Sequence, residues 1–427
     1  MFLHLLRTRR FAPLFWCQFF SAFNDNFVRN MLAMLILFRL GEHRAGALVT
    51  LAIGIFILPS IFLSALGGEL ADSQDKARVA RALKLGELFV QGIAALGFVF
   101  ASLPLLYLAL FGLGVIAALF GPIKYGILPD HLETRELTAG NALIEGATFL
   151  AILLGLIVGG FAAVQGRSPL SVVAQLTVVA LACWIASWFI PGTRAAAPDL
   201  RPDRNLLAST WRAVHDLRMD ARSWTGGLAV SWFWLTGAVS LSLVPVVLKS
   251  RLGAGIEVAT AINALFAIGM ALGSSAAALW ARGRIFLTPV SGAAFGMGAF
   301  LLDLAFTTGR LPAVTAELSL SQFLGSFTGL RLSLDVIGLA ACGGLFVVPT
   351  FAAVQAWAGE DRRARVVAGV NIVNSLFIVA GSLLTSLLQA AGFSEPVLLG
   401  ALGALNLLVA LWLLHALSRK SIGSAAS

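Results

Sequence analysis

Long apolar runs follow one another along the whole chain, and short polar or Pro/Gly-bearing loops separate them. A helix needs about 20 apolar residues to cross the hydrocarbon core of a bilayer. Runs of that length predict membrane-spanning helices. The pattern predicts twelve of them, at residues 12–39, 46–66, 79–100, 103–128, 140–164, 169–191, 223–248, 256–281, 285–306, 332–355, 366–389 and 395–417.

The longest polar break before the seventh run divides the predicted helices six and six. We therefore expect an all-α membrane protein with an N-terminal half at 1–191, a linker at 192–222, a C-terminal half at 223–417 and a tail at 418–427. The halves share a weak internal similarity, with a proline in the outgoing helix and an Ala-Gly start to the returning one. This placement is typical of transporters built from parallel six-helix repeats.

Composition supports a membrane protein. Charged residues make up 12% of the chain and hydrophobic residues 59%, whereas a soluble protein carries about 25% charged residues. The net charge of +9 is spread over many loops, which suits anionic lipid headgroups better than a nucleic acid. All three cysteines lie in apolar runs, so no disulfide framework is expected.

No sequence motif predicts catalysis, a metal site or a cofactor. His215–Asp220 reads HDLRMD and matches the H-x4-D pattern of glycerolipid acyltransferases. The linker that holds it is too short to build such a domain. We therefore expect a protein that is not an enzyme.

The basic residues predict the orientation. Loops on the N-terminal side hold 21 of the 30 Lys and Arg residues, and the opposite loops hold seven. By the positive-inside rule, both termini and the linker are cytoplasmic.

Asp25 is a carboxylate near the middle of the first apolar run. A charge at that depth costs at least about 2.5–3.5 kcal/mol and usually marks a substrate or ion path. The neighbours Asn24 and Asn26 make this part of the helix too polar to face lipid, so we expect it to line a cavity. Arg29 lies four residues further on and can pair with Asp25 along one face. The alternative is a self-neutralised pair that only makes the helix insertable.

Three more charges fall inside the predicted helices of the first half. Lys124 and Glu145 lie at similar depth by a count of 1.5 Å per residue. They can form an ion pair that locks or gates the bundle, or they can contact a substrate directly. Glu87 in the third helix can join either group.

The loop after the second helix reads GGELADSQDKARVAR. Gly68, Asp72, Lys76 and Arg78 follow the major facilitator loop pattern of a glycine, an acid and a basic cluster. The glycine lets two helices approach closely, and the charges can clasp neighbouring helix ends, which predicts a gating loop. The alternative is an ordinary positively charged loop. Ser73 and Asp75 depart from the full pattern.

Several segments resemble the bacterial lysophospholipid transporter family of the major facilitator superfamily. They are QFFSAFNDNF (18–27), GELADSQDKARV (68–79), PIKYGIL (122–128), AGNALIEG (139–146) and FVVP (346–349). SWFW (231–234) is similar to a branch in which the transporter is fused to acyltransferase and acyl-acyl-carrier-protein synthetase domains. Standalone members carry an arginine in the seventh helix, where this chain reads GAVSLSLV (237–244).

The resemblance implies the major facilitator fold and the flipping of lysophospholipids, chiefly lysophosphatidylethanolamine, across the bacterial inner membrane for reacylation. A separate acyltransferase would then be needed. The lipid phosphate suits Lys124 or Arg29, and its ammonium suits Asp25, Glu145 or Glu87. Two alternatives stay open, a proton-coupled exporter of drugs or another amphipathic solute, and a membrane scaffold that transports nothing.

Overall fold

The computed structural model describes residues 2–40, 42–164, 169–203, 205–281, 284–312 and 318–423, and these residues are almost entirely helical. Within them, no β-strand forms beyond one isolated bridge between Ala254 and Leu318. The long helices are α1 (Ala12–Leu40), α2 (Glu42–Ser73), α3 (Lys76–Val99), α4 (Leu103–Gly126), α5 (Leu137–Val164), α6 (Pro169–Trp188), α7 (Ala221–Leu252), α8 (Ile256–Ala281), α9 (Thr288–Gly309), α10 (Phe327–Trp357), α11 (Arg363–Ala390) and α12 (Glu395–Gly423).

The described helices confirm the prediction of an all-α membrane protein. Eleven of the helices in the described ranges are long and apolar enough to cross a membrane. The remaining long helix, α1, is the one interrupted by Asp25, Arg29 and their polar neighbours. Several helices run past the apolar spans, such as α10, which covers Phe327–Trp357 against a predicted 332–355. Their polar ends continue the helix because backbone hydrogen bonding does not stop at the edge of the apolar run.

The chain divides into two compact units. Unit 1 comprises Met1–Gly227 and Val354–Ser375, and unit 2 comprises Leu228–Ala353 and Leu376–Ser427. Unit 1 therefore contains the first six long helices together with the end of α10 and the start of α11. The division into halves at the linker stays a prediction.

Small residues allow close contact between α1 and α5 within unit 1. A Cβ atom on Gly155 would lie 2.7 Å from the Phe23 carbonyl oxygen and 3.0 Å from the Asn26 Cβ, and one on Gly159 would lie 3.1 Å from the Phe27 carbonyl oxygen. Such small-residue contacts bring helix backbones together in membranes, where no hydrophobic effect drives association. These contacts fix the register of α1 on α5 at the level of Asp25.

Unit 2 uses a buried polar side chain in addition to small residues. The Asn406 side chain on α12 donates to the Ala294 carbonyl oxygen on α9 at 2.6 Å and accepts from the Trp232 indole of α7 at 2.7 Å. Asn406 is fully buried. One amide thus ties three helices by hydrogen bonds that lipid cannot replace.

The linker contains a helix, Leu206–Met219, which we call the linker helix. Asn205 caps its first turn by accepting from the Ala208 N–H at 3.2 Å. Asp220 follows the helix and accepts from the Ser223 hydroxyl at 2.8 Å, at the start of α7. Asp220, the acid of the H-x4-D match, thus stabilises the start of α7. The side chain of His215, the histidine of that match, is 57% exposed.

The glycine contact gives a first prediction. Gly155→Ala should lower the free energy of unfolding by about 1–3 kcal/mol, because the new methyl group meets a backbone oxygen that cannot move aside. The matched control is Gly92→Ala on α3, where an added Cβ has no atom within 4 Å. Thermal unfolding in detergent should show a lower midpoint for Gly155→Ala alone. Equal midpoints for the two variants would contradict the α1–α5 contact.

Candidate functional site

Six charged side chains of unit 1 interact inside the membrane-spanning helices, and we call them the central cluster. Its members are Asp25 and Arg29 of α1, Lys84 and Glu87 of α3, Lys124 of α4 and Glu145 of α5. The charges acting on Asp25 are those of Glu87, Lys84, Arg29 and Lys124. Lys124 interacts in addition with Glu145. Three cations face three carboxylates, so the formal charge of the cluster is zero.

Lys84 and Glu87 are the two members of the cluster that form a direct ion pair. The Lys84 Nζ lies 2.7 Å from the Glu87 Oε2, and each side chain is 1% exposed. Ser21 of α1 accepts from the Lys84 Nζ at 2.8 Å and donates to the same Glu87 oxygen at 3.0 Å. The ammonium also lies 3.9 Å from the centre of the Phe120 ring, a cation–π contact. The pair therefore joins α3, α1 and α4.

Glu145 is held by Tyr125 and not by the predicted partner Lys124. The Tyr125 hydroxyl donates to the Glu145 Oε1 at 2.5 Å. The Lys124 Nζ lies 4.6 Å from the centre of the Tyr125 ring and forms no ion pair with any described residue. The direct Lys124–Glu145 bond is absent because the phenol of the next residue reaches the carboxylate first. The two charges still interact through space.

Asp25 and Arg29 likewise do not form the direct bond that their spacing allows. Arg29 donates to the Asn26 side-chain oxygen and lies 5.4 Å from the centre of the Phe56 ring on α2. Asp25 is partly buried and makes no ion pair within the described part of the chain. Its carboxylate is thus available to a ligand, which a fully paired carboxylate would not be.

Buried polar atoms near the cluster have no hydrogen-bond partner. Among the described residues they include the Glu87 Oε1, the Glu145 Oε2, both amide atoms of Asn24 and both amide atoms of Gln91. Leaving such an atom unpaired costs about 1–3 kcal/mol, and native proteins seldom do so without a reason. A polar ligand that enters the bundle can satisfy these atoms.

The loop after α2 binds the start of α11 within unit 1. Asp72 is fully buried and accepts from the Ala364 and Arg365 backbone N–H groups at 3.1 Å each. The Arg365 Nε donates to the same carboxylate at 3.2 Å. Negative charge at a helix N-terminus is stabilised by the orphan N–H groups and the helix dipole. We call this contact the Asp72 clamp.

Gly68 and Lys76 complete the clamp, and Arg78 does not take part. A Cβ on Gly68 would lie 2.8 Å from the Ala364 carbonyl oxygen, so only glycine permits this approach. The Lys76 Nζ pairs with Asp130 at 2.9 Å although its side chain is 2% exposed, and Asp130 also lies 3.4 Å from Arg363. Arg78 is exposed and makes no ion pair with a described residue. Gly68, Asp72 and Lys76 of the loop pattern thus act together in the clamp.

A second contact lies beside the clamp in unit 1. Gln355 and Asn141 are both fully buried and exchange side-chain hydrogen bonds of 2.7 and 3.2 Å. Gln355 also donates to the Tyr125 carbonyl oxygen at 3.1 Å. These bonds tie the end of α10 to α4 and α5, the helices that supply Lys124 and Glu145.

Sequence reasoning missed Lys84, Ser21, Tyr125 and Gln355. In the count of basic residues that predicts the orientation, Lys84 belongs to the loop after the second helix. It nevertheless lies inside the predicted third span, three residues before Glu87. That i, i+3 spacing of opposite charges was the available signal. Ser21, Tyr125 and Gln355 carried no such signal, since a single polar residue in an apolar run has many partners to choose from.

The fold and the charged bundle interior are those of a membrane transporter of the major facilitator class. The chain belongs to the Major Facilitator Superfamily, whose family model matches residues 14–334. Membership of this superfamily supports the prediction of a transport protein, and the relatives in sequence carry transporter names.

The relatives in sequence include proteins named as lysophospholipid transporters. The chain is 32% identical over 280 residues to "Lysophospholipid transporter LplT" of Yersinia pestis, a match that covers 64% of this chain and 65% of that protein. The chain thus matches just under two thirds of the length of this curated relative. A match with the same identity and coverage is found to the protein of the same name from Yersinia pseudotuberculosis.

Solved structures share the fold at low sequence identity. The human organic anion transporter MFSD10 (TETRAN) superposes with a TM-score of 0.72 at 16% identity, over 94% of this chain and 99% of that one. The proton:xylose symporter XylE gives a TM-score of 0.68 at 15% identity, over 95% and 96%. At this level of identity the likeness establishes the fold alone and confirms the predicted fold class.

The buried pair gives a second prediction. Lys84→Met should destabilise the protein by about 3–5 kcal/mol, because it leaves the Glu87 carboxylate unpaired in the membrane interior. The double variant Lys84→Met/Glu87→Leu should regain much of this loss. Thermal unfolding midpoints of the two single variants and the double variant form the test. A double variant whose loss equals the sum of the single losses would contradict the pairing.

Proposed function

We propose that this protein moves lysophospholipids, with lysophosphatidylethanolamine as the main substrate, across the membrane by alternating access. The observation that carries the proposal is the central cluster, in which three cations and three carboxylates interact inside membrane-spanning helices. Buried ionisable groups in a membrane mark a path for a polar substrate. The lysophospholipid transporters to which the chain is similar supply the substrate class.

The headgroup chemistry fits the cluster. Lysophosphatidylethanolamine carries one phosphate and one ammonium, so it is a zwitterion, and the cluster offers both signs of charge. We assign the phosphate to Arg29 and Lys124, neither of which has a carboxylate bonded to it among the described residues. We assign the ammonium to Asp25 and to the free oxygens of Glu87 and Glu145. Charge-assisted bonds of this kind are about twice as strong as neutral ones.

The Asp72 clamp is the gate in this proposal. Asp72 holds the start of α11 through two backbone N–H groups and one guanidinium. All of these bonds lie at the end of unit 1 where the linker is attached, since Ala197 donates its N–H to the Asp72 carbonyl oxygen at 2.8 Å. Opening that end requires Asp72 and Lys76 to release their partners. A substrate would then pass between the central cluster and that side of the membrane.

The location follows from the charge distribution and the relatives. We place the protein in the bacterial inner membrane with both termini and the linker in the cytoplasm, as the excess of basic residues in those loops requires. The clamp then closes the cytoplasmic end. A lysophospholipid delivered there is a substrate for reacylation by a separate acyltransferase, which is the partner we propose.

Uptake of labelled lysophosphatidylethanolamine into spheroplasts that lack their own transporter tests the function. The wild-type protein should restore uptake, and Asp25→Asn should reduce it by roughly tenfold to a hundredfold. The reason is that the variant loses one charge-assisted bond, which contributes about 1.5–3 kcal/mol. The control Glu257→Gln removes an exposed carboxylate at the start of α8 and should leave uptake unchanged.

Two results would overturn the substrate assignment, and a third would remove only the role of Asp25. Absence of uptake by wild-type protein that is correctly inserted rejects lysophosphatidylethanolamine as the substrate. Loss of uptake on addition of an uncoupler, together with export of an unrelated amphipathic solute, favours the proton-coupled exporter. Equal uptake by Asp25→Asn and wild type removes Asp25 from the path.

The gate has its own test. Asp72→Ala removes both acceptors of the clamp, so the interior behind it should become reachable by water from the linker side. A cysteine placed at Ala142, which is 4% exposed on α5, should react severalfold faster with a membrane-impermeant thiol reagent in the Asp72→Ala background. Gln74→Ala, an exposed position in the same loop, should not change the rate. An unchanged rate in both backgrounds would argue against a gate at Asp72.

A further inference from the structure

The linker helix has two unlike sides. Its inner side consists of the buried residues Ser209, Ala213 and Leu217, which face the rest of unit 1. Its outer side carries large apolar side chains with most of their surface uncovered: Leu207 is 67% exposed, and Trp211 is 68% exposed. Large apolar side chains seldom stay in water without a partner when they cluster on one face. An exposed apolar side of this kind marks an interaction surface.

Contacts with α2 place the start of the linker helix beside an apolar surface. The Thr210 hydroxyl donates to the Ile61 carbonyl oxygen at 3.3 Å. Ile61 lies within the apolar span Leu51–Ser73, twelve residues or about 18 Å before the end of α2 at a rise of 1.5 Å per residue. The next residue, Phe62, is 37% exposed. The linker helix thus begins beside an exposed part of the apolar span of α2.

The apolar stripe of the linker helix continues this exposed apolar surface. At 100° per residue, Val214, Leu207 and Trp211 lie about 40°, 60° and 100° around the helix from Thr210. The stripe therefore begins next to the contact with α2 and turns away from the protein. A groove of about 220 Å³ lies on this side and is lined by Trp211, Val214, His215, Arg218 and Met219.

The charges on the same side favour an anionic surface. Arg218 is exposed and has no carboxylate partner among the described residues; its guanidinium lies 5.3 Å from the centre of the Trp224 ring. The nearby aspartates are occupied, since Asp203 accepts from Arg212 and Asp220 is bound to Ser223 and Arg222. An uncovered arginine beside tryptophan and leucine is the composition of a helix that lies in the plane of a membrane interface.

We propose that the outer side of the linker helix docks on the lipid interface, with Leu207 and Trp211 inserted among the acyl chains and Arg218 bound to anionic headgroups. Tryptophan prefers this depth because its ring is apolar and its N–H finds polar partners. The arginine gains from the negative potential of anionic lipid. The linker helix is then an anchor that keeps the loop between α6 and α7 on the membrane surface.

Site-directed spin labelling of the intact protein in vesicles tests the proposal. Cysteines are placed singly at Leu207 and Trp211 after Cys17, Cys183 and Cys342 are changed to alanine. Phe89→Cys, at a side chain 71% exposed on α3, is the lipid reference, and Gln74→Cys, in an exposed loop, is the water reference. Collision with dissolved oxygen and with a water-soluble nickel complex is measured for each label.

In vesicles of phosphatidylethanolamine and phosphatidylglycerol, the labels at 207 and 211 should resemble Phe89→Cys, with severalfold higher oxygen than nickel accessibility. Values like those of Gln74→Cys would overturn the proposal, because the side would then face water. Low accessibility to both reagents would also overturn it, because the side would then be covered by a second copy of the protein. Quenching of the wild type by brominated lipid, compared with Trp211→Phe, gives a second readout without cysteine changes.

The charge requirement has a separate arm. Replacing phosphatidylglycerol with phosphatidylcholine, or replacing Arg218 with glutamine, should make both labels more accessible to nickel. Labels equally protected under all these conditions would reject the role of Arg218 and of anionic lipid. None of these measurements depends on the transported substrate.

Discussion

The cost of an isolated charge in a hydrocarbon environment governs unit 1. A membrane interior cannot hydrate a charge, so each carboxylate of the central cluster must have a cation or a donor nearby. Lys84 and Glu87 meet this requirement directly at 2.7 Å, and Tyr125 meets it for Glu145. The requirement also explains the close contact between α1 and α5, since Gly155 brings the polar part of α1 against its neighbours. The same contacts between these helices therefore determine both their packing and the positions of their charges.

The Asp72 carboxylate also needs partners where it is buried, but its partners are groups that water can replace. Asp72 binds two backbone N–H groups at the start of α11, and those groups are orphans that water can satisfy equally well at the end of a helix. Gly68 packs there against Ala364 and Ala368, which are both fully buried. Water can therefore take over the hydrogen bonds of the clamp when it opens, while the apolar contacts beside it favour the closed form. The central cluster differs, because water cannot replace its partners while the site is closed to both sides.

The sequence predicts much of this arrangement, and what it misses has a physical cause. The twelve helices follow from the length of the apolar runs. Asp25 stands out because a carboxylate near the middle of a membrane-spanning helix costs free energy. Spacing shows which side chains share a helix face, but it does not show which of several donors reaches an acceptor first. Arg29 therefore bonds to Asn26 where Asp25 was predicted, and Tyr125 takes the carboxylate predicted for Lys124. Lys84 was hidden by its distance of only a few residues from a basic loop, although it is fully enclosed.

The zero formal charge of the central cluster bears on what it can carry. A zwitterion brings no net charge, so its phosphate and ammonium can exchange partners with Arg29, Lys124, Asp25 and Glu87 while the total stays balanced. A singly charged substrate would leave one unit of charge uncompensated in a site of low dielectric constant, where each unit is costly. The balance of formal charges therefore favours a zwitterionic headgroup over a lone ion, on grounds independent of any relative.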